Sequence, residues 1–268
     1  MSGVRADIRL VELGLAPSRE KARSLIMAGE VYLDTARIDK PGASVPEDCV
    51  LTVKEQAIPF VSRGGLKLDK AVRKYGLSLQ DKVAMDIGAS TGGFTDCMLQ
   101  NGAAKVYAID VGYGQLDWKL RNDPRVVVME RTNARNMEPA WFAEQPEFAS
   151  IDVSFISVKL ILPGMYASLK EGSKAVVLVK PQFEAGRGKV GKNGVVREKE
   201  THRQVVEETA LFARSLGFTV EQVDYSPITG PKGNIEFLLV LCKNASEQQD
   251  NIAEWVKKVV DYAHEELD

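Results

Sequence analysis

The segment MDIGASTGGFTD, Met85 to Asp96, decides the fold. Its first residues close a short apolar run, VAMDI, of the kind carried by a strand buried on both faces. Glycines at 88, 92 and 93 follow, and then the helix-forming run Phe94–Gln100, so the chain turns there from strand into helix. Such a junction lets backbone approach a ligand closely and presents free N–H groups at the helix start. A phosphate loop does not fit, because GK[ST] is absent and the spacing is not GxGxxG. Acids at both ends, Asp86 and Asp96, would repel a pyrophosphate. Asp86 suits a positively charged group instead, such as an amino-acid ammonium.

Working outward, six more strand candidates appear: KVYAID, RVVVME, FASIDV, KAVVLVK, TVEQVDY and IEFLLVLC. Helical stretches are predicted between most of them, over Gln115–Arg121, Val158–Leu169 and Glu198–Leu216. A closing helix is predicted near Asn251–Glu265. Strand–helix alternation predicts an α/β fold with a doubly wound, mainly parallel sheet. Only SPITGPKGN joins the last two strands, too short for a usual crossover, so they are expected to run antiparallel.

Asp110 ends the second strand of the series, where doubly wound nucleotide-binding folds place an acid against ribose hydroxyls. Glycine loop and acid together point to an adenosine-containing ligand without phosphates, S-adenosyl-L-methionine. The residues expected to hold it are Asp86, Gly88, Ala89, Ser90, Gly92, Gly93 and Phe94, with Asp110, Val111 and Asn133. The plain alternative is a tight βα turn followed by an ordinary strand-end acid.

Ahead of this region, residues 1–56 read as a module of their own. Two helices are predicted, Ala6–Leu13 and Ser18–Ala28 after Pro17, with Ser18 as N-cap but no full capping box. A strand EVYLD follows Gly29. A polar stretch with Pro41 and Pro46 then leads to a strand CVLTV. Residues 57–63 read as a linker, and residues 64–268 as the larger domain, opened by a helix from Gly65 to Tyr75.

The chain has 268 residues, 44% hydrophobic and 27% charged, with a formal net charge of −2. That suffices for one large core and a small second domain. Lys and Arg outnumber Asp and Glu in the first 75 residues, while the stretch after Glu247 is acidic. Cys49, Cys97 and Cys242 show no CxxC spacing, and His202 and His264 are the only histidines. No metal site is expected from that set, and free thiols suit a reducing, cytoplasmic setting. No apolar run nears the ~20 residues of a membrane span, and no signal peptide opens the chain.

Four residues have the chemistry of a site. Asp152 and Lys180 each end a strand, where open α/β sheets bind ligands. Glu236 interrupts the apolar run of the final strand. Lys67 lies on the helix whose core stripe is Leu68, Ala71, Val72 and Tyr75, with Lys70 and Lys74 beside it. Taken singly, Lys67 reads as a solvated helix lysine, Glu236 as an edge-strand charge and Asp152 as a turn cap.

Taken together, the motifs RGGLKLDKA, DIGASTGGFTD, AIDVG, DVSFIS, LVKPQFEAGR and GPKGNIEF resemble the TlyA (hemolysin A) family of ribosomal RNA 2′-O-methyltransferases. SREKARSLIMAGEVYLD likewise resembles the RNA-binding domain, named after ribosomal protein S4, that precedes the catalytic half in that family. The resemblance implies a Rossmann-like, seven-stranded S-adenosylmethionine methyltransferase sheet with an antiparallel last strand. It implies methyl transfer to a ribose 2′-hydroxyl of ribosomal RNA, on cytidine. It also implies a Lys-Asp-Lys-Glu tetrad of the FtsJ-like enzymes, which falls here on Lys67, Asp152, Lys180 and Glu236.

These residue types suit the reaction. A 2′-hydroxyl is a weak acid whose oxygen must attack a sulfonium methyl in line, so a neutral lysine, expected to be Lys180, takes its proton. A free ammonium with pKa near ~10.4 is mostly protonated; burial and a second cation favour the neutral form, and nearby carboxylates oppose it. Asp152 and Glu236 are therefore expected to orient, and Lys67 to stabilise the developing oxyanion. DVSF lacks the proline and tyrosine that base-amino methyltransferases carry in an NPPY-like segment there.

RNA contacts are expected from Arg5, Arg9, Arg19, Lys21 and Arg23 in the basic module, and from Arg63, Arg187, Lys189 and Lys192. The last three sit in EAGRGKVGKNGVVREKE, a glycine-rich basic segment expected to be a mobile loop over the crevice. Ribosomal RNA or ribosomal subunits are the expected partners of a monomer, with no membrane and no metal. A second class stays open, an RNA-binding ribosome-assembly factor with a vestigial methyltransferase fold. A pore-forming hemolysin rests on the family's historical name alone.

Overall fold

The computed structural model describes residues 3–16, 18–27, 29–34, 36–53, 58–191, 193–244 and 251–267. Expectations for Pro17, Ala28, Lys54, Ala57 and Lys192, and for the side chain of Arg187, lie outside the described residues. The chain divides into two compact units, Met1–Ile58 and Pro59–Asp268.

In the first unit, β1 (Gly3–Arg5) leads into α1 (Ala6–Glu12) and α2 (Arg19–Met27), followed by β2 (Val31–Leu33), β3 (Ala36–Arg37), β4 (Ser44–Pro46) and β5 (Leu51–Val53). β1 pairs antiparallel with β4, and β2 lies between β3 and β5 in an antiparallel sheet. Ala6, Leu10, Ala22, Leu25, Ile26, Val31, Val45 and Leu51 form its core. The Ser18 hydroxyl accepts from the Lys21 N–H at 3.2 Å, as an N-cap side chain does. β1, β3 and β4 were not anticipated. Each has two or three residues, and in β4 only Val45 is buried, so no alternation is there to read.

The second unit opens with α3 (Gly64–Tyr75). Then come β6 (Val83–Ile87), α4 (Gly93–Gln100), β7 (Lys105–Ile109), α5 (Trp118–Arg121), β8 (Val126–Met129), β9 (Phe148–Ile151), α6 (Leu162–Ser168) and β10 (Lys174–Val179). The chain continues through α7 (Pro181–Glu184), α8 (Lys199–Ser215), β11 (Phe218–Tyr225), β12 (Phe237–Lys243) and α9 (Ile252–Leu267). The strands form one seven-stranded sheet in the order β11-β12-β10-β9-β6-β7-β8. β12 runs antiparallel to both its neighbours, and the other pairs are parallel. The chain leaves β6 toward β7 on one side and returns to β9 on the other. The switch point therefore lies between the carboxyl ends of β6 and β9, where such sheets take ligands.

Five successive residues of β10, Ala175 to Val179, have no exposed surface. Burying each of the four branched side chains, Val176 to Val179, contributes roughly 1.5–3 kcal/mol, so the apolar run holds the strand inside the sheet. Lys180 is extended (φ −109°, ψ 103°), as a residue before proline should be. Pro181 does more than stop the strand: with its φ already set, it starts the short helix α7.

Several boundaries differ from expectation. Glu236 precedes β12 rather than lying within it, and β12 is an interior strand, so the edge-charge reading falls. The helix expected from Gln115 begins at Trp118, because the Asp117 carboxylate caps it by accepting from the Lys119 N–H. The stretch from Val158 splits into a 3-10 turn (Val158–Leu160) and α6, with Pro163 in the first turn of the latter. Pro59 onward, read as part of a linker, belongs to the second unit, where Phe60 is buried and the Val61 N–H donates to Asp96 Oδ2 at 2.8 Å.

Candidate active site

α3 carries the first candidate side chain, Lys67. Leu68, Ala71 and Val72 face the core, and Gly76 ends the helix in the left-handed conformation. Of the three lysines beside that stripe, Lys67 and Lys70 are largely buried and only Lys74 is about half exposed. Lys70 and Lys74 pair with Asp224 of β11 at 3.1 and 2.9 Å, and the Tyr75 hydroxyl donates to the same carboxylate at 2.8 Å. These bonds clamp α3 across the sheet. Lys67, one turn away, reaches Glu236 Oε2 at 2.6 Å.

Four residues far apart in sequence thereby meet. Lys67 Nζ also stands 3.8 Å from Asp152 Oδ2, and Lys180 Nζ lies 2.5 Å from Asp152 Oδ1 and donates to the Ser154 hydroxyl at 3.1 Å. Gln182 Nε2 donates to the other Glu236 oxygen at 3.3 Å. Side-chain exposure is 9% for Lys67, 18% for Asp152, 10% for Lys180 and 0% for Glu236. Two carboxylates thus face two ammonium groups: Lys67 is hydrogen-bonded to Glu236, and Asp152 stands in ion-pair contact with both lysines, as buried charges require a partner.

Two glycines make this convergence possible. A Cβ on Gly88 would stand 2.4 Å from the Asp152 carbonyl oxygen, and its φ of +86° is itself glycine territory. The loop after β6 therefore presses directly on the end of β9. A Cβ on Gly93 would stand 2.8 Å from Gly65 N, so the starts of α4 and α3 touch backbone to backbone.

Beside the four charges lies a cavity of about 490 Å³, lined among others by Lys67, Asp152, Lys180, Gln182, Lys232 and Glu236. A second cavity, of about 500 Å³, is lined by Asp110, Val111, Gln115, Asn133 and Ile156. Gly88, Ser90, Asp152, Ser154 and Phe155 line both. A ligand in the second cavity can therefore present one end to the four charges.

Most residues expected to hold the cofactor lie on these walls. Ala89, Gly93 and Phe94 line the first cavity, and Asp110, Val111 and Asn133 the second. Asp110 is held in place by accepting from Ser90 N at 2.8 Å and from Gly112 N at 2.7 Å. Gly92 lines neither; it starts α4 in the left-handed conformation, with φ +97°. Asp86 departs most from expectation. Fully buried, it accepts from the Thr95 and Ser150 hydroxyls at 2.7 and 3.0 Å and lines neither cavity. Burial pushes its carboxyl up to about 6. Through the Thr95 hydroxyl it braces the start of α4, just after the glycine loop. Asp96, at the loop's other end, holds the stretch entering α3.

The basic residues separate into groups. Arg5, Arg19 and Arg23 converge on the buried carboxylate of Asp7 at 3.0 to 3.2 Å, each still about half exposed. Arg9 stands apart, pairing with Glu12 and donating to the Cys49 carbonyl. Lys21 is exposed. Arg63 is the exposed N-cap residue of α3, and Lys189 donates to Gln204. The glycine-rich segment is anchored at its end, where Val195 and Val196 are buried and Val196 N donates to Asn234 Oδ1 at 3.1 Å.

Ser154, Phe155, Gln182 and Lys232 escaped the sequence reading, although all four lie inside the motifs that carried the resemblance. Phe155 is 90% exposed with a φ of +63°, its ring 5.1 Å from that of Phe183. Among the described residues no cluster of His, Cys, Asp and Glu is suited to a metal, and no helix is long and apolar enough to cross a membrane.

Comparison with known proteins places both units. Residues 60–243 match the FtsJ-like methyltransferase family, and residues 4–48 match the S4 domain. YqxC of Bacillus subtilis is 53% identical over 98% of this chain and 95% of its own. The 16S/23S rRNA (cytidine-2′-O)-methyltransferase TlyA of Mycobacterium tuberculosis is 44% identical over 88% of this chain and 89% of its own. A solved structure from Streptococcus thermophilus, described as a hemolysin, superposes with a TM-score of 0.80 at 50% identity, covering 99% of this chain and 97% of that one.

Proposed function

This chain belongs to the TlyA (hemolysin A) family of FtsJ-like methyltransferases, and we propose that it methylates a ribose 2′-hydroxyl of ribosomal RNA, on cytidine, from S-adenosyl-L-methionine. The observation that carries this reading is the meeting of Lys67, Asp152, Lys180 and Glu236 beside a cavity that adjoins the one at Asp110.

The second cavity suits the nucleoside part of the cofactor. Asp110 keeps lone pairs for ribose hydroxyls after accepting its two backbone bonds, while Val111 and Ile156 offer apolar sides. The bound cofactor supplies an electrophilic methyl on a positively charged sulfur. Everything else falls to the chain. Gly88 brings the loop against Asp152, so methyl donor and acceptor are held at one junction, and such positioning supplies much of a two-substrate rate.

Lys180, after giving up to solvent the proton of its ion pair with Asp152, takes the proton of the 2′-hydroxyl as the oxygen attacks the methyl carbon. The cofactor, held at Asp110 and Val111, would supply the methyl carbon to the new C–O bond and would keep the electron pair of the C–S bond on its sulfur. Asp152 orients Lys180, and Glu236 with Gln182 orients Lys67. Protonated Lys67 then stabilises the negative charge gathering on the oxygen.

Lys180→Ala tests this assignment. Methyl transfer to ribosomal RNA from a strain lacking the gene should fall by about 10²–10⁴-fold, the usual contribution of a positioned base. Cofactor affinity by calorimetry should stay within about twofold. Full transfer by the variant would remove Lys180 from the role. A wild-type chain that binds no cofactor and methylates no RNA would favour the assembly-factor reading.

A further inference from the structure

The four central charges of the acceptor cavity are matched two against two, yet the wall holds a third lysine. Lys232 lies between Gly230 and Gly233, and its ammonium has no ionic or hydrogen-bonding partner among the described residues. Its backbone sits in the left-handed region, φ +65° and ψ 12°. Glycine adopts that conformation freely and lysine only at a cost, and such outliers persist where the surroundings impose them.

The surroundings do impose it. Gly230 N donates to the Asn234 carbonyl at 2.8 Å, and Gly233 N to the Gly230 carbonyl at 3.1 Å. The Asn234 side chain donates to the Gly194 carbonyl at 3.0 Å and accepts from Val196 N at 3.1 Å. A turn pinned on both sides therefore holds an exposed, uncompensated cation at the rim of the cavity that contains the four charges. A Cβ on Gly194 would stand 3.8 Å from that ammonium, so the neighbouring segment passes beneath it without covering it.

We propose that Lys232 is the anionic-oxygen contact of this cavity, holding a non-bridging phosphate oxygen of the RNA backbone beside the ribose to be methylated. This rests on the reading above, in which the first cavity receives RNA. Two ligands could present such an oxygen, the RNA phosphodiester and the carboxylate of the cofactor. The phosphodiester is favoured because Lys232 lines the cavity of the four charges and not the one at Asp110.

Lys232→Gly in the full chain separates fold from contact, because glycine relieves the left-handed strain. Its thermal midpoint should equal or exceed that of the wild type. The KM for ribosomal RNA from a strain lacking the gene should rise about three- to tenfold with kcat held within about twofold. The slope of log affinity against log salt should shrink by roughly 0.7–0.9, the share of one phosphate. Lys232→Arg should restore both. An unchanged KM and salt slope would overturn the proposal. So would weakened cofactor binding without RNA, which would give the contact to the cofactor carboxylate. If Lys180→Ala abolishes transfer while Lys232→Gly behaves as wild type, this inference alone fails; if the wild type transfers no methyl, the proposed function fails first.

Discussion

Each unit buries carboxylates among cations, with opposite consequences. In the first, Asp7 is one acid with three arginines, whose side chains remain 46%, 53% and 55% exposed. In the second, Asp152 and Glu236 face Lys67 and Lys180, and none of the four side chains is more than 18% exposed. Three cations on one acid leave a net positive surface in water, where the field of a polyanion is felt at long range. Two on two, dried and bonded, leave little field outside and a fixed geometry inside. The same ion-pair chemistry thus leaves an open cationic surface in one place and an enclosed, fixed cluster in the other, and stoichiometry with burial decides which.

The comparison breaks most visibly at Glu236. Replacing it with alanine leaves Lys67 buried without its closest partner, and breaking a buried pair from one side costs about 3–5 kcal/mol. Urea unfolding of Glu236→Ala should show that loss. A loss below about 1 kcal/mol would mean that Lys67 finds water or Asp152 without penalty, and the two clusters would then differ less than described.

A smaller effect separates two buried acids by pH. The hydrogen bond from Arg5, with those from Arg23 and Arg19, outweighs burial and holds the Asp7 carboxyl far below the usual carboxylate range. A depressed acid stabilises the fold above its unfolded pKa, so this contribution is complete above about pH 4 and fades as pH falls further. Asp86 is the reverse, raised by burial to about 6. Its contribution is full below about pH 4 and is lost as pH rises through 6, by up to about 3 kcal/mol. Acidification from pH 7 to 4.5 should therefore steady the second unit through Asp86 and leave the Asp7 contribution intact. Hydrogen exchange followed separately in the two units would show this. Asp86→Asn should flatten the dependence between pH 4 and 6, and an unchanged slope would assign it to other groups.

The smallest expected effect concerns the open cluster. Arg19→Ala should lower RNA affinity a few-fold and reduce the salt slope by about 0.7–0.9 if the guanidinium meets one phosphate. Thermal stability should change by less than about 1 kcal/mol, since a half-exposed ion pair contributes little. A variant with unaltered salt dependence would make the arginines of Asp7 a structural feature only.

Much of this was legible along the chain. VAMDI is the strand Val83–Ile87 to the residue, and the glycines that follow turn it into α4. The antiparallel last strand followed from the shortness of SPITGPKGN, and the order of the motifs named the four residues that meet. These are local patterns, or local patterns in a known order. What escaped were directions and distant partners. Asp86 sits in a strand buried on both faces, where an apolar run gives no alternation to show which way a side chain points. Lys67 read as a solvated helix lysine because its acid, Glu236, lies 169 residues away. β1, β3 and β4 of the first unit, GVR, AR and SVP, carry no apolar run to mark them, unlike the equally short VYL and LTV of β2 and β5.

The sequence by itself determined the order of elements, the class of sheet and the chemical types available at the strand ends. These depend on hydrophobic period, glycine placement and residue identity, all short-range properties. Only the tertiary structure decided which charges compensate each other. Lys67 and Glu236 are 169 residues apart, and it takes the packing of α3 on α4 through Gly93 and Gly65, with the antiparallel return of β12, to set them 2.6 Å from each other. The same packing left Lys232 unmatched at the rim, because charge balance is a property of the space that side chains share, and not of their order in the chain.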